Sequence, residues 1–457
     1  DLAYYIANPR CMNLSDPGAG KTPSVVVMEF YLWTRLNVGT CWVMPKRLLE
    51  KNRLEILRFT GFGPEDVVIV DGSPKQIDDQ LKSGAKVFLM GFRRFAISWS
   101  NLPDYVKALH IDEFHMGFKS DDSAQTKAMY EFMDKRGQWF IAMTGTLVNG
   151  KLSSAYPAIR VIEPRYYANQ KAFLYQHAIY DLDDKIIGWK NHQKLSAIFG
   201  RHGIRRTFAS IHGEQEVVHH TEVVPMSERQ RKMYDTFEKE ALLDLDKFYL
   251  DGTQPGDSFI RARQLMEHPN EFPDLTNPGH FVDVMSNERP AKEELLEIHL
   301  EDHDNTGMPL VIFSAMVPQQ RRFSSMLDRH RFKYAVINGD CSQKYSSEAD
   351  RAFQSGELQM LICSPQCASV GFNWQFNGKT EVDHTIFASL DYLDTSFLQA
   401  RQRFIRGKRS TPLRVSIFEY EKSLDQHIMS IIHRKSVDAN KVDPTRPVLQ
   451  FSKYQEK

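Results

Sequence analysis

The chain is poor in cysteine, has no long apolar run, and carries no surplus of either charge. Five cysteines are spread over 457 residues. Their number is odd, and no pair at zinc-ligand spacing has a matching second pair. A disulfide framework and a structural zinc site are therefore excluded, and buried thiols in a reducing compartment are expected. No stretch approaches the roughly 18 apolar residues that a membrane helix needs. The N-terminus, which begins at Asp1, lacks the pattern of a secretory leader. An intracellular setting is expected, cytoplasmic or beside the chromosome. Basic and acidic residues number 58 each, so binding to nucleic acid through bulk charge is excluded and any such contact must come from local patches.

What is present suits two or three folded domains, because a chain this long outgrows one core. Along residues 1–165, short apolar runs at 40–44, 67–70, 86–90, 108–111 and 139–143 alternate with helical stretches at 24–36, 46–59 and 123–135. Continuous apolar runs of strand length bounded by polar residues read as doubly buried parallel strands. Alternation with helices implies an α/β fold with an open sheet covered on both faces. Residues 166–300 read as a mostly helical insertion, with 227–244 its clearest helix. From 301 to 440 the alternation returns, with strands at 310–314, 334–337, 360–364, 385–388 and 413–418 and helices at 317–329, 346–355 and 394–405. Residues 441–457 read as a tail.

Three stretches carry chemistry. Ser15-Asp16-Pro17-Gly18-Ala19-Gly20-Lys21-Thr22 follows an apolar run and opens a helix. It fits the phosphate-loop pattern except that Ser15 stands where the first glycine is usual. Glycines let backbone amides curl round an anion, and a helix N-terminus favours it. Asp16, Gly18, Gly20, Lys21 and Thr22 are thus nucleotide-binding candidates, with Lys21 on the outer phosphates and the Thr22 hydroxyl on Mg²⁺. Next, Ala108–Ile111 is an apolar run that ends in Asp112-Glu113, followed by Phe114 and His115. Carboxylates at a strand's carboxyl end suit metal support by Asp112 and water activation by Glu113. His115, with Thr144, Gly145 and Thr146 after the run at 139–143, is read as relaying nucleotide state. Third, Gln399-Ala400-Arg401-Gln402-Arg403-Phe404-Ile405-Arg406 places Arg403 and Arg406 one turn apart. They are expected on one helix face, stopped at Gly407, with both arginines able to stabilise a transferring phosphoryl group. Upstream, Gly371 and Asn373 suit a tight loop.

Taken in order, these stretches resemble superfamily 2 helicases, and more closely the Swi/Snf-like branch of DNA translocases. SDPGAGKT resembles that branch's DExGxGKT loop, which also lacks the first glycine. IDEFH resembles its DEAH element, and MTGTLVNG its TGTP-x-x-N element, with Leu147 for Pro. Arg205-Arg206-Thr207 is similar to its paired-arginine element, Gln230 and Tyr234 to its S-x-x-Q-x-x-x-Y helix, His268-Pro269 to its HP element, VGFN to GxGxN, and QARQRFIR to Q-A-x-x-R-x-x-R. The resemblance implies two RecA-like lobes, ATP and Mg²⁺ as cofactors, and Gln399 and Gly371 at the nucleotide. An upstream glutamine element for adenine is not visible and no large accessory domain is expected, so the resemblance implies a compact stand-alone motor, of the kind viruses and mobile elements encode.

A motor needs a groove for phosphates. Candidates are Lys46 and Arg47, Arg93 and Arg94, Lys119, Asn373, Ser314, and Arg321 with Arg322. Phe92 and Phe95 beside the arginine pair also offer stacking to an unpaired base. The leading expectation is a monomeric ATP-dependent translocase or helicase on duplex or branched DNA. An RNA helicase and a nucleotide-gated binding scaffold are the competing readings.

Overall fold

The computed structural model describes residues 1–145, 152–236, 257–274, 277, 279–368 and 371–449. The chain divides into two compact units. One comprises Asp1–Glu214 with Asp438–Pro447, the other Gln215–Val437 with Val448–Lys457. Among the described residues no helix is long and apolar enough to cross a membrane.

The strands of the two large sheets are numbered along the chain. In the first unit they are β1 (Arg10–Asn13), β2 (Gly39–Met44), β3 (Val67–Ile69), β4 (Val87–Gly91), β5 (Val106–Ile111), β6 (Trp139–Met143) and β7 (Gly203–Ile204). They form one sheet in the order β3-β4-β2-β5-β6-β1-β7, parallel throughout. Every residue of β2 is buried, as are the last four of β5 and of β6. This is why these strands read as unbroken apolar runs and not as alternating ones. Helix Lys21–Leu36 leaves the end of β1 through the loop at 15–20. A fully buried pair, His110 Nδ1 and Glu29 Oε1 at 2.6 Å, ties this helix to β5.

The second unit contains β8 (Val217–Val224), β9 (Leu310–Phe313), β10 (Tyr334–Ile337), β11 (Met360–Cys363), β12 (His384–Phe387) and β13 (Leu413–Tyr420). Their order is β8-β13-β12-β9-β11-β10, again all parallel. The core packs helices Ala291–Thr306 and Val317–Arg329 against β9, β11 and β12 through Leu296, Leu300, Phe323 and Leu327.

The α/β expectation and the parallel sheets therefore hold. Three elements differ. β8 lies in the segment read as mostly helical, and its alternating half-exposed pattern fits an edge strand. The helix read at 394–405 ends at Arg401 and passes through a 3₁₀ turn, Gln402–Phe404. Asp438–Pro447, read as the end of the second alternating region and the start of a C-terminal tail, instead belongs to the first unit, where Ala439 and Val442 enter the core. Of the helix read at 227–244, residues 228–236 are helical and 237–244 lie outside the described residues.

Candidate phosphate and carboxylate site

The first unit gathers its candidates at the carboxyl ends of β1, β5 and β6. The loop after β1 is shaped by two left-handed glycines, Gly18 at φ 81° and Gly20 at φ 79°. A side chain at either position would be strained. Gly20 is also the cap of helix Lys21–Leu36, whose first turn holds Lys21, Thr22 and Pro23, and proline there forfeits no helical hydrogen bond. Lys21 Nζ donates to the Ser15 carbonyl at 2.6 Å, so the ammonium lies back across its own loop. Ser15 has a reason to replace glycine: its buried Oγ accepts from Arg206 N at 3.0 Å, while its own N–H donates to Asn13 Oδ1. Asp16, expected to face nucleotide, is engaged within the protein. It accepts from Phe208 N at 2.9 Å and pairs with Arg205 at 3.2 Å. Arg205 also pairs with Asp443 of the C-terminal segment. Asp16 thus braces the loop, and Arg205, Phe208 and Asp443 are its supports. Only the paired arginines carried a sequence signal for this.

Asp112 and Glu113 sit where β5 ends. Asp112 is buried, and desolvation, then the adjacent Glu113, push its carboxyl up to about 6 against the opposing pull of Lys21. Glu113 N donates to Asp112 Oδ1 at 2.9 Å. Glu113 itself has φ 49°, an uncommon conformation for a residue with a side chain and one that persists only when its surroundings enforce it. Two adjacent carboxylates at a lysine-bearing loop are a donor set that fits a divalent cation, and at Asp112 the pull of Lys21 is outweighed by burial and by Glu113. Asn52, which carries no recognisable signal in the sequence, also hydrogen-bonds the Asp112 side chain.

His115 is buried. Its Nδ1 lies 2.9 Å from Thr144 Oγ1 and 3.5 Å from Glu113 Oε2. Burial, then the charges of Arg446, Lys21 and Lys119, hold its pKa down to about 3, so the ring is neutral near pH 7. Thr144 N donates to Asn13 O at 3.0 Å, extending the β1–β6 pairing. A Cβ on Gly145 would come 2.9 Å from Pro17 Cδ, so only glycine allows this close approach to the loop. Loop, carboxylates, histidine and threonine therefore form one cluster. Thr146 lies outside the described residues.

The basic candidates fall in separate places. Lys46 pairs with Asp71 at 2.7 Å on the surface, and this bond holds the Asp71 carboxyl below its usual range, with a smaller contribution from Arg94. Arg93 is exposed at the start of helix Phe92–Ser98 after β4, and Lys119 is exposed after the helix Phe114–Gly117. The expected base stacking there fails. Phe95 is fully buried against Phe132, and Phe92 packs edge-on against Phe118. Ser314 is also buried, bonded to Gln319, while Arg321 and Arg322 pair with Glu271 and Glu293.

In the second unit, Arg403 and Arg406 do not share a helix face, because the helix has already ended. They meet on one acceptor instead: Arg403 Nη1 and Arg406 Nη2 both donate to Phe372 O, at 3.3 and 3.0 Å. Phe372 lies between Gly371 (φ 91°) and the exposed Asn373. Gln375 Oε1 accepts from Arg406 N and Gly407 N, both at 2.9 Å, holding this corner. Gln399 is buried in helix Asp394–Arg401. Arg401, absent from the expectations, is pushed down to about 10 by burial and bonds His219. Gln230 and Tyr234 tie together the unit's interior: Gln230 donates to Leu265 O, and Tyr234 OH accepts from Leu424 N.

Comparison with known proteins agrees with this arrangement. Residues 7–271 match the SNF2-related domain and residues 291–408 the helicase conserved C-terminal domain. The chain is 26% identical over 366 residues to an uncharacterized ATP-dependent helicase of Mycoplasma genitalium, covering 78% of this chain and 33% of that protein. A Mycoplasma pneumoniae protein described the same way is 22% identical over 376 residues, with the same shares covered. The chain thus spans about a third of the length of these curated relatives. Among solved structures, the Hef helicase domain of Pyrococcus furiosus has a similar fold, with a TM-score of 0.54 at 14% identity over 93% of this chain and 96% of that one. The two units are the RecA-like lobes of that fold, and with more than half its length matched by the domain model, the chain belongs to the SNF2-related family.

Proposed function

We propose that this chain hydrolyses ATP and uses the cycle to move along duplex or branched DNA. The observation that carries the reading is the meeting in the first lobe of a phosphate loop, two adjacent strand-end carboxylates and a buried neutral histidine. The amides of Gly18, Gly20 and the first turn of helix Lys21–Leu36 bind the phosphates, with Lys21 on the outer ones. Mg²⁺ held by Thr22 and Asp112 would supply charge neutralisation there. Glu113 takes the proton of the attacking water. General-base assistance of this kind contributes roughly 10²- to 10⁴-fold. His115 and Thr144 join the carboxylate end of β5 to the end of β6, so a change at Glu113 is passed to the neighbouring strand. Arg403 and Arg406 of the second lobe stabilise the charge on the transferring phosphoryl group, a contribution on the order of 10³- to 10⁵-fold in comparable hydrolases.

Membership of the SNF2-related family supports DNA over RNA. Lys46, Arg93, Arg94, Lys119 and Asn373 are the proposed phosphate contacts, which give affinity without sequence preference. We place the motor, acting as a single chain, in a reducing intracellular setting, which suits the buried thiols Cys11, Cys41 and Cys363. The test is ATP hydrolysis with duplex, forked and single-stranded DNA and with RNA, at low and high salt. Stimulation by duplex or forked DNA that fades at high salt is expected. Stimulation by RNA alone, or by no polynucleotide, would sink the DNA-motor reading.

A further inference from the structure

Beside the phosphate loop lies an aromatic pair that phosphate chemistry does not use. Phe208 opens the helix Phe208–His212 just after β7. Its ring lies against the loop so closely that a Cβ on Gly18 would come 3.0 Å from Phe208 Cε2. His212 stands one turn on, its ring centroid 4.5 Å from that of Phe208 at a 34° tilt, and its Nε2 lies 3.3 Å from Gly18 O. The segment is pinned to the loop by further bonds. Phe208 N donates to Asp16 Oδ2 at 2.9 Å, and Asp16 N to Arg206 O at 2.9 Å. Neither ring belongs to the lobe's hydrophobic core, and both are only half-buried.

A flat apolar ring held rigidly against an anion-binding loop, with part of its surface in solvent, is poorly explained by packing alone. A nucleotide whose phosphates occupy the loop must place its base nearby, and every base offers a π-face for stacking. We propose that Phe208, backed by His212, is the platform on which the base of the bound nucleotide stacks. The inference rests on the reading that residues 15–22 hold the phosphates. With His212 Nε2 engaged by the loop carbonyl, what the platform contributes is stacking area.

The experiment compares two probes by calorimetry on the full chain: ATP, and inorganic tripolyphosphate, which has no base. Phe208→Ala and Phe208→Leu are expected to weaken ATP binding by roughly 5- to 150-fold, the range that base–aromatic stacking supports, and to leave tripolyphosphate binding unchanged. Phe208→Trp keeps ATP affinity within a few fold. The leucine variant preserves apolar bulk against Gly18 and so guards against simple collapse of the loop. Equal losses for both probes would make Phe208 a prop for the loop and overturn the proposal. So would an unchanged ATP affinity, or a wild-type chain that binds tripolyphosphate as tightly as ATP, either of which leaves the phosphate reading standing. A wild-type chain that binds neither probe would sink both.

Discussion

Each lobe buries a cluster of charge, and the two clusters are resolved differently. In the second lobe Lys292 lies between Glu267 at 3.0 Å and Asp425 at 2.8 Å, all three nearly inaccessible to water. Burial works to strip the ammonium of its proton, but the two carboxylates hold it there and the net shift is upward. Gln319 donates to the other oxygen of Glu267, and Tyr420 N donates to the Asp425 oxygen that Lys292 also contacts. This cluster contains its own cation and joins helix Asp257–Glu267, helix Ala291–Thr306 and the start of helix Leu424–Val442. In the first lobe, Asp112 and Glu113 are adjacent carboxylates whose nearest strong cation, Lys21, is bonded to a loop carbonyl. A cluster that is complete in itself serves the fold. Burial raises a carboxyl in both clusters, Glu267 in one and Asp112 in the other. In the second lobe, however, Lys292 bridges the two carboxylates, whereas in the first the adjacent Glu113 adds to the rise at Asp112, a repulsion that a bound cation can relieve.

The largest effect that would sharpen this contrast concerns turnover. Glu113→Gln is expected to lower ATP hydrolysis by about 10²- to 10⁴-fold while ATP binding persists. Retained turnover would remove Glu113 from the proton transfer and, with it, the functional half of the comparison.

Next in size is stability. Lys292→Met leaves two buried carboxylates without their cation and is expected to cost about 3–5 kcal/mol, the usual penalty for breaking a buried pair, read as a fall in the urea midpoint. Asp112→Asn should act in the opposite direction, because it removes the strained carboxylate. Its sign follows from linkage. With a folded-state pKa of about 6 against 3.8, the native state binds more protons than the unfolded chain between those values. Stability therefore falls as pH rises through that window and stays lowered above it. Above pH 6, in the absence of nucleotide and divalent cation, Asp112→Asn is expected to raise stability by about 1–3 kcal/mol. The gain should vanish near pH 4. A loss of stability in both variants would abolish the distinction between the clusters. His115 runs the other way: held down to about 3 from 6.5, it contributes stability above pH 6.5 that is lost as pH falls toward 3, and His115→Gln should flatten that acid limb in urea titrations.

The smallest expected effect is at the surface. The exposed Lys46–Asp71 pair is worth at most about 1 kcal/mol, so Lys46→Ala should scarcely move the urea midpoint. If Lys46 contacts DNA, the same change lowers the slope of log affinity against log salt by about 1. An unaltered slope would confine Lys46 to its pair with Asp71.

The sequence by itself determined the sheets and the order of the chemistry. Doubly buried parallel strands must be continuous apolar runs, so β2, β5, β6, β9, β11 and β12 stood out, and with them the ends where Asp112, Glu113 and Thr144 had to lie. The glycines of the loop were equally legible, because φ values near +80° leave few other choices. Tertiary structure decided what side chains do once distant segments meet. β8 alternates in burial at a sheet edge and reads as polar, so it was hidden in a segment that looked helical. Arg403 and Arg406 share a carbonyl and not a helix face, because the helix ends at a position that no residue type marks. Asp16 became a brace because Arg205, Phe208 and Asp443, as much as 427 residues away in the chain, arrive beside it. Local periodicity records which face of an element is dry. It carries no information about which remote donor will claim a given carboxylate, and that is settled only when the chain has closed on itself.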